Sequence, residues 1–339
     1  MQEIRNKARE LMKGSCRVCP VCDGKACAGE VPGMGGLSSA QSFKNNVQAL
    51  KNVRLNMRLI HNAKAPSTAT NWLGIELGLP VVAAPIGGMF NFNEPMQEQE
   101  YVDAILQGCK QGGAIGCTGD GVPAPIMDSG LNGISALGGF GIPFIKPWES
   151  NELYEKADRA VASGCPAIGC DLDAAGLVTL RLQGRPVGPK TFDELKDYIA
   201  YVHKAGKKFI AKGIMTVADA EQAVAAGVDC IVVSNHGGRV FDDTPGTIEV
   251  LPAIAKAVKG KTSIMLDGGI RTGYDILKAI ALGADIVGIG RPFSIAAIGG
   301  RAEGVAKYIA TIQAQLAQGM ILTGCATLKD INSSVVSVK

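Results

Sequence analysis

From residue 80 onward the chain repeats one unit: a short apolar run, a glycine-rich turn, then an amphipathic stretch. The apolar runs are VVAAP (81–85), AIGC (114–117), IPFI (142–145), AIGCDL (167–172), KFIAK (208–212), CIVVS (230–234), SIMLD (263–267) and DIVGIG (285–290). A strand that is apolar along its whole length is covered on both faces, as in parallel sheets whose strands alternate with helices. Between the runs, segments such as TFDELKDYIAYVHKAG, TVADAEQAVAAG and TGYDILKAIALGA space their apolar residues three and four apart and close near a Gly or Ala. Eight such units predict a closed (β/α)8 barrel. An open doubly wound sheet is the competing arrangement. Its dinucleotide fingerprint is missing, because the first turn reads APIGGMFN and not G-x-G-x-x-G.

The second unit, GDGVPAPIMDSGLNGISALGGFG (119–141), has many glycines and little helical pattern, and residues 173–190 read as a loop. Such loops sit at the C-terminal ends of barrel strands, where sites are built. Ahead of the barrel, residues 1–12 predict a short helix with Ile4, Ala8 and Leu11 on one face. A Cys- and Gly-rich stretch covers 14–40, and SFKNNVQALKNVRLNMRLI (42–60) reads as a second amphipathic helix. We expect an N-terminal extension over 1–65 and a barrel over 66–339, joined without a linker. A length of 339 residues with 47% hydrophobic and 19% charged residues suits one such barrel. The net charge is +3 with the basic residues dispersed, which argues against a nucleic-acid partner. No apolar run approaches the roughly 20 residues that span a membrane. The opening MQEIRNKARELMKGS lacks the apolar core of a signal peptide, so a cytoplasmic protein is expected.

Three stretches carry chemistry. LDGGIRTG (266–273) follows the seventh run and GIGRPF (288–293) the eighth. Glycines there let backbone N–H groups approach an anion, Arg271 and Arg291 add charge, and these two loops are the usual phosphate site of the fold. Lys212 ends the fifth run, where a side chain points at the site. SNHGGR (234–239) ends the sixth and combines a titratable base, His236, with a carboxylate-matching fork, Arg239. The pair suggests a substrate with a carboxylate beside an acidic proton.

These stretches resemble the FMN-dependent α-hydroxy-acid oxidases and dehydrogenases. The resemblance runs from about residue 42 to the end and rests on TNWLGIELGLPVVAAPIGG (70–88), AKGI (211–214), VVSNHGGRVFDDTPGTIEVLPAI (232–254), LDGGIRTGYDILKAIALGA (266–284) and GIGRPF (288–293). It implies the same barrel, bound FMN, oxidation of a small 2-hydroxy acid such as lactate or glycolate to the 2-oxo acid, and a homo-oligomer of four or more chains. On the resemblance His236 is the base, Asp173 orients it, Arg239 binds the substrate carboxylate and Lys212 stabilises the reduced flavin. FMN would be held by Pro85, Ile86, Gly87, Thr118, Lys146, Asp171, Lys212 and Ser234, and toward its phosphate by Asp267, Gly268, Gly269, Arg271, Gly290 and Arg291. The chain departs from the family where a second substrate Arg is usual, since that place reads AAGLV. The family's two carboxylate-gripping tyrosines have no counterpart: the first Tyr in the chain is Tyr101, and the third run continues PFIKPW. Lys146 stands for a common Gln and Asp171 for a Thr. Competing readings are a flavin-barrel isomerase of the type 2 isopentenyl-diphosphate isomerase kind and a non-catalytic FMN or iron–sulfur sensor.

Four of the ten cysteines crowd into CRVCPVCDGKAC: Cys16, Cys19, Cys22 and Cys27. Their C-x2-C-x2-C-x4-C spacing resembles a ferredoxin-type [4Fe–4S] run, whose last gap is usually three. Zinc sites favour two separated C-x2-C pairs, and a loop without metal is the third reading. A cluster near FMN would give the electrons a one-electron exit, making the enzyme a dehydrogenase. The following GEVPGMGG is expected to cover the barrel mouth, with Lys25 or Glu30 reaching the site. Cys117, Cys170 and Cys230 read as small buried hydrophobes, and His61 and His203 as surface or structural residues.

Overall fold

The computed structural model of the chain describes residues 1–89, 96–149, 151–185 and 187–339. Residues 90 and 91 of the first turn and residue 186 of the fourth loop lie outside the described residues. The eight apolar runs form β1 (Val81–Ala83), β2 (Ile115–Thr118), β3 (Ile142–Ile145), β4 (Ala167–Asp171), β5 (Lys208–Ile214), β6 (Cys230–Val233), β7 (Ser263–Leu266) and β8 (Ile286–Ile289). Each strand pairs in parallel with its neighbours in sequence, and β8 closes on β1 with Val287 beside Val81 and Ile289 beside Ala83. The fold is the expected (β/α)8 barrel.

Alternate strand residues divide the core in two. Val82, Ile115, Cys117, Phe144, Ile210, Val232 and Met265 fill the interior, while Val81, Ala83, Ile168, Ala211 and Ile231 face the helices. Burying one aliphatic side chain contributes about 1.5–3 kcal/mol, so both layers favour this alternation. A hairpin of Thr70–Trp72 and Ile75–Leu77 plugs the N-terminal end, with Trp72 Nε1 donating to Ser263 Oγ at 2.9 Å. The outer ring is α1 (Glu98–Gly112), α2 (Ala124–Ala136), α3 (Asn151–Ala162), α4 (Phe192–Lys204), α5 (Val217–Ala226), α6 (Thr247–Val258), α7 (Gly273–Ala281) and α8 (Arg291–Thr323). Thr191, Thr216 and Thr272 cap three of these by accepting the N–H three residues on. α8 is two helices broken at Arg301, where φ is 53°.

The second unit departs from expectation. α2 is a regular helix, and its glycines serve packing: a Cβ on Gly130 would fall 2.7 Å from Thr118 Oγ1, and one on Gly133 2.9 Å from Leu106 Cδ1. The loop after β4 also carries structure, a 3-10 turn over Leu172–Gly176 and a short helix over Val178–Leu182. The helix expected over 42–60 spans Gln41–Asn52 and then stops, because Val53–Leu55 pairs as a strand with Val336–Val338. That ladder ties the N-terminal extension to the end of the chain. The first helix, Gln2–Leu11, buries Ala8 and crosses α8 so closely that a Cβ on Gly299 would lie 2.1 Å from Ile4 O. No described helix is long and apolar enough to cross a membrane.

Candidate active site

The C-terminal ends of the strands open on a cavity of about 470 Å³. Pro85, Ile86 and Gly87 line it from β1, Lys146 from β3, Lys212 from β5, His236 and Arg239 from β6, Asp267, Gly268, Gly269 and Arg271 from β7, and Gly290 and Arg291 from β8. Thr118, Asp171, Asp173 and Ser234 stand one layer behind this wall.

Five side chains form a row of alternating charge. Lys146 Nζ lies 2.5 Å from Asp171 Oδ2, and Lys212 Nζ 3.1 Å from Asp171 Oδ1. Lys212 also lies 3.2 Å from Asp173 Oδ2, and His236 Nδ1 is 2.9 Å from Asp173 Oδ1 and 2.9 Å from Lys212 Nζ. Buried charges persist only in such pairings. Burial pulls the Lys212 ammonium down, but Asp171 and Asp173 outweigh it and hold the group charged. Burial likewise raises Asp171 and Asp173, and the neighbouring cations return both below the ordinary carboxylate range. For His236 burial wins: it lowers the imidazole, Asp173 opposes, and Lys212 adds to the lowering. The ring is therefore neutral at neutral pH. In the tautomer that gives the Asp173 carboxylate the Nδ1 proton, Nε2 is an acceptor.

Local backbone makes this row possible. β5 bulges between Lys212 and Ile214, and Gly213 takes φ 108°. A Cβ there would sit 2.6 Å from Asp173 Cβ, so only glycine lets the carboxylate approach Lys212. His236 itself has φ 55°, a left-handed conformation that Gly237 and Gly238 continue. Its N–H donates to Ser234 Oγ at 3.1 Å. Asp267 is nearly buried, and burial outweighs Lys212 in raising its carboxyl to about 6. Its Oδ1 has no protein partner, nor has the buried Arg271 Nε.

Three arginines crowd the same mouth. Burial lowers Arg239 to about 10 and, with Arg239 beside it, Arg291 to about 9. None of the three makes an ion pair with a carboxylate among the described residues. Arg291 donates to the carbonyls of Met34 (2.7 Å), Gly35 (2.9 Å) and Gly237 (3.2 Å) and stacks 3.9 Å from the Phe43 ring. Arg239 donates to Gly33 O, and Arg271 to Cys22 O at 3.2 Å. The GEVPGMGG stretch thus covers the mouth as expected, but through backbone carbonyls. Glu30 is held by Arg17 through two 2.8 Å bonds, and Lys25 is exposed beside Asp23, so neither reaches the site.

The four clustered cysteines are half-buried and free. Cys19, Cys22 and Cys27 all act electrostatically on Cys16, so the four thiols share one neighbourhood. Among the described residues, the group of His, Cys, Asp and Glu ligand atoms gathered within 4.8 Å of one another is Asp171, Asp173 and His236. Cys117, Cys170 and Cys230 are buried in the core, as expected. His203 Nε2 meets Asp229 at 2.7 Å and His61 Nδ1 accepts from Ala63 N at 3.1 Å, both away from the cavity.

Sequence reasoning missed several supports. Glu98 is buried and accepts from Gly88 N (2.9 Å) and Met89 N (2.6 Å), holding the turn after β1. Asp120 accepts from Lys146 N, Trp148 Nε1 and Lys156 Nζ. Asn46 donates to Asn235 Oδ1 at 2.7 Å and so braces SNHGGR. Only the glycine-flanked Asp120 carried any local signal.

Comparison with known proteins decides the family. Residues 34–185 and 188–338 match the family described as FMN-dependent dehydrogenase. The chain belongs to the FMN-dependent α-hydroxy-acid oxidases and dehydrogenases. It is similar to an L-lactate oxidase of Lactobacillus jensenii, 31% identical over 87% of this chain and 78% of that one. An L-lactate dehydrogenase of Acinetobacter baumannii is 29% identical over 88% of this chain and 90% of its own. Among solved structures, a mandelate oxidase with a difluorinated 2-hydroxy acid superposes with a TM-score of 0.79 at 26% identity, covering 100% of this chain and 98% of that one. As a member of this family the chain is an FMN-dependent enzyme. The matched region begins downstream of all four clustered cysteines. Three described residues of the kind do not take the place of the missing clamp: Tyr101 is buried against Ser294, Arg181 donates to Ala175 O, and Arg185 pairs with Glu152.

Proposed function

We propose that the enzyme oxidises a small 2-hydroxy acid with an apolar side chain, lactate first, to the 2-oxo acid. The carrying observation is His236: a neutral imidazole on the cavity wall, backed at 2.9 Å by the Asp173 carboxylate. Nε2 takes the substrate's proton, and Asp173 stabilises the imidazolium that results. Arg239, lacking a carboxylate partner, binds the substrate carboxylate and fixes the reacting carbon near the base. Val122, Ile126, Leu177 and Leu180 offer the substrate's side chain an apolar wall.

The cavity fits FMN on its own chemistry. The bare Asp267 Oδ1 and Arg271 Nε are an acceptor and a donor awaiting a polyol and a phosphate. Arg271, Arg291 and the glycines at 268, 269 and 290 would hold the phosphate end. Pro85, Ile86, Gly87, Lys146 and Lys212 would surround the ring, with Thr118, Asp171 and Ser234 supporting them from behind. Bound there, FMN would supply the acceptor for the two electrons that leave the substrate. Lys212 supplies the positive charge that favours its reduced form.

We further infer a homo-oligomer in a reducing, cytoplasmic setting. Met57, Leu59 and Ile60 lie exposed beside Ile321 and Leu322, an apolar strip joined by the Arg58 N to Leu322 O bond of 2.9 Å. Ten unpaired cysteines suit a reducing compartment. The test is anaerobic mixing with lactate, glycolate and mandelate while flavin absorbance is followed. One acid should bleach the flavin, and His236→Ala should slow bleaching roughly 10²–10⁴-fold. Bleaching by none of the acids with FMN bound would favour a sensor and sink this reading.

A further inference from the structure

We propose that Cys16, Cys19, Cys22 and Cys27 hold a [4Fe–4S] cluster that carries the substrate's electrons out one at a time. The relay role rests on the reading above; the cluster site does not. Nothing in the family match accounts for these cysteines, since that match starts at residue 34.

Geometry separates a cluster from a single ion. A tetrahedral zinc with bonds of about 2.3 Å brings its sulfurs to within about 4 Å of one another. No three of these four sulfurs gather within 4.8 Å, while Cys22 and Cys27 pack against the same small apolar cluster of Ala40, Phe43 and Val47. Four cysteines close in sequence whose sulfurs stand wider apart than a single zinc allows suit a four-iron cube, with one thiolate on each corner iron.

The segment is built to stay open in this shape. Arg5 donates to Cys19 O at 2.5 Å and Arg9 to Val18 O at 2.9 Å, both from the first helix. Arg271 donates to Cys22 O from the other side. Two sulfurs already accept hydrogen bonds: Cys16 Sγ from Val18 N at 3.4 Å and Cys22 Sγ from Arg271 Nη2 at 3.5 Å. Such bonds to cluster sulfurs tune the reduction potential. Charge agrees as well. Four thiolates around the cube leave a net anion, and Arg5, Arg9, Arg271 and Arg291 bring cations that make no ion pair with a carboxylate among the described residues. Cys22 and Cys27 pack on Phe43, whose ring carries Arg291 at 3.9 Å. Arg271 thus lines the cavity and touches Cys22 with one nitrogen.

The electron count closes. Oxidation of one hydroxy acid releases two electrons and two protons. The cluster passes the electrons singly, so two molecules of an oxidised one-electron carrier are reduced per turnover. One proton leaves through His236, and both end in solvent.

The experiment is metal and sulfide analysis of protein purified without oxygen, with electron paramagnetic resonance before and after dithionite or the bleaching acid. Iron and acid-labile sulfide should each stand at about four per chain. Both should fall at least tenfold in Cys16→Ser/Cys22→Ser, with FMN content reporting that the variant has folded. Should it not fold, the wild-type counts decide. The acid should reduce the cluster as well as the flavin. About one zinc per chain without sulfide, or no metal after anaerobic treatment with iron and sulfide, overturns the site. Flavin bleaching while the cluster stays oxidised overturns the relay. Failure of every acid to bleach the flavin fails the functional reading and leaves the iron and sulfide counts to judge the cluster.

Discussion

The base proposed here, His236, is set by two opposing effects that are unequal. Burial lowers the imidazole, and Asp173, at 2.9 Å, only partly restores it. A folded-state value below the ordinary histidine range keeps the base form available through neutral pH, and protonation switches it off as the pH falls. Flavin reduction should therefore show an acid limb below about pH 6.5. Asp173→Asn removes the influence that raises the imidazole, so the limb should move to still lower pH. It also loses the acceptor that keeps the proton on Nδ1, so the rate should drop roughly 10²–10⁴-fold. Stopped-flow reduction from pH 5 to 9 checks both, and a limb that moves upward would refute the pairing. Lys146 and Asp171 teach a related lesson. In the sequence each is a departure from a family pattern; in the structure they neutralise one another at 2.5 Å.

At the scale of elements, the decisive feature is the bulge in β5. It lets Lys212 face the cavity while Asp173 comes within 3.2 Å of it, and Gly213 at φ 108° is the hinge. Gly213→Ala would place a methyl 2.6 Å from Asp173 Cβ in a backbone conformation alanine avoids. Such strain costs about 1–3 kcal/mol, and the displaced carboxylate should slow flavin reduction more than tenfold. Thermal unfolding and single-turnover reduction test this together; a variant with wild-type values in both would show that the close approach is dispensable. The same scale explains why α2 was illegible. Its glycines look like loop punctuation, yet Gly130 and Gly133 are flat spots that let the helix settle on Thr118 and Leu106. Propensity argued one way and packing decided the other.

For the molecule as a whole, the exposed residues Met57, Leu59, Ile60, Ile321 and Leu322 bring two segments distant in sequence to one surface. If copies associate there, Leu59→Asp/Ile60→Asp should shift the particle toward the monomer in light scattering without altering flavin content. An unchanged mass would move the interface elsewhere. The barrel was legible because its information is local and repeated: eight apolar runs, each followed by an amphipathic helix, have one efficient way to cover every face. Many of the residues that line the cavity were legible for the same reason, since SNHGGR and LDGGIRTG each bring several of them to one strand end. What the sequence alone determined is therefore the fold and the identity of the family. The tertiary structure decided the rest. Residues 33–35 meet Arg239 and Arg291, Cys22 meets Arg271, and Asn46 meets Asn235 across about 190 to 260 positions of chain. No periodicity or spacing encodes such contacts; they exist only once barrel closure brings the strand ends together beneath the N-terminal segment.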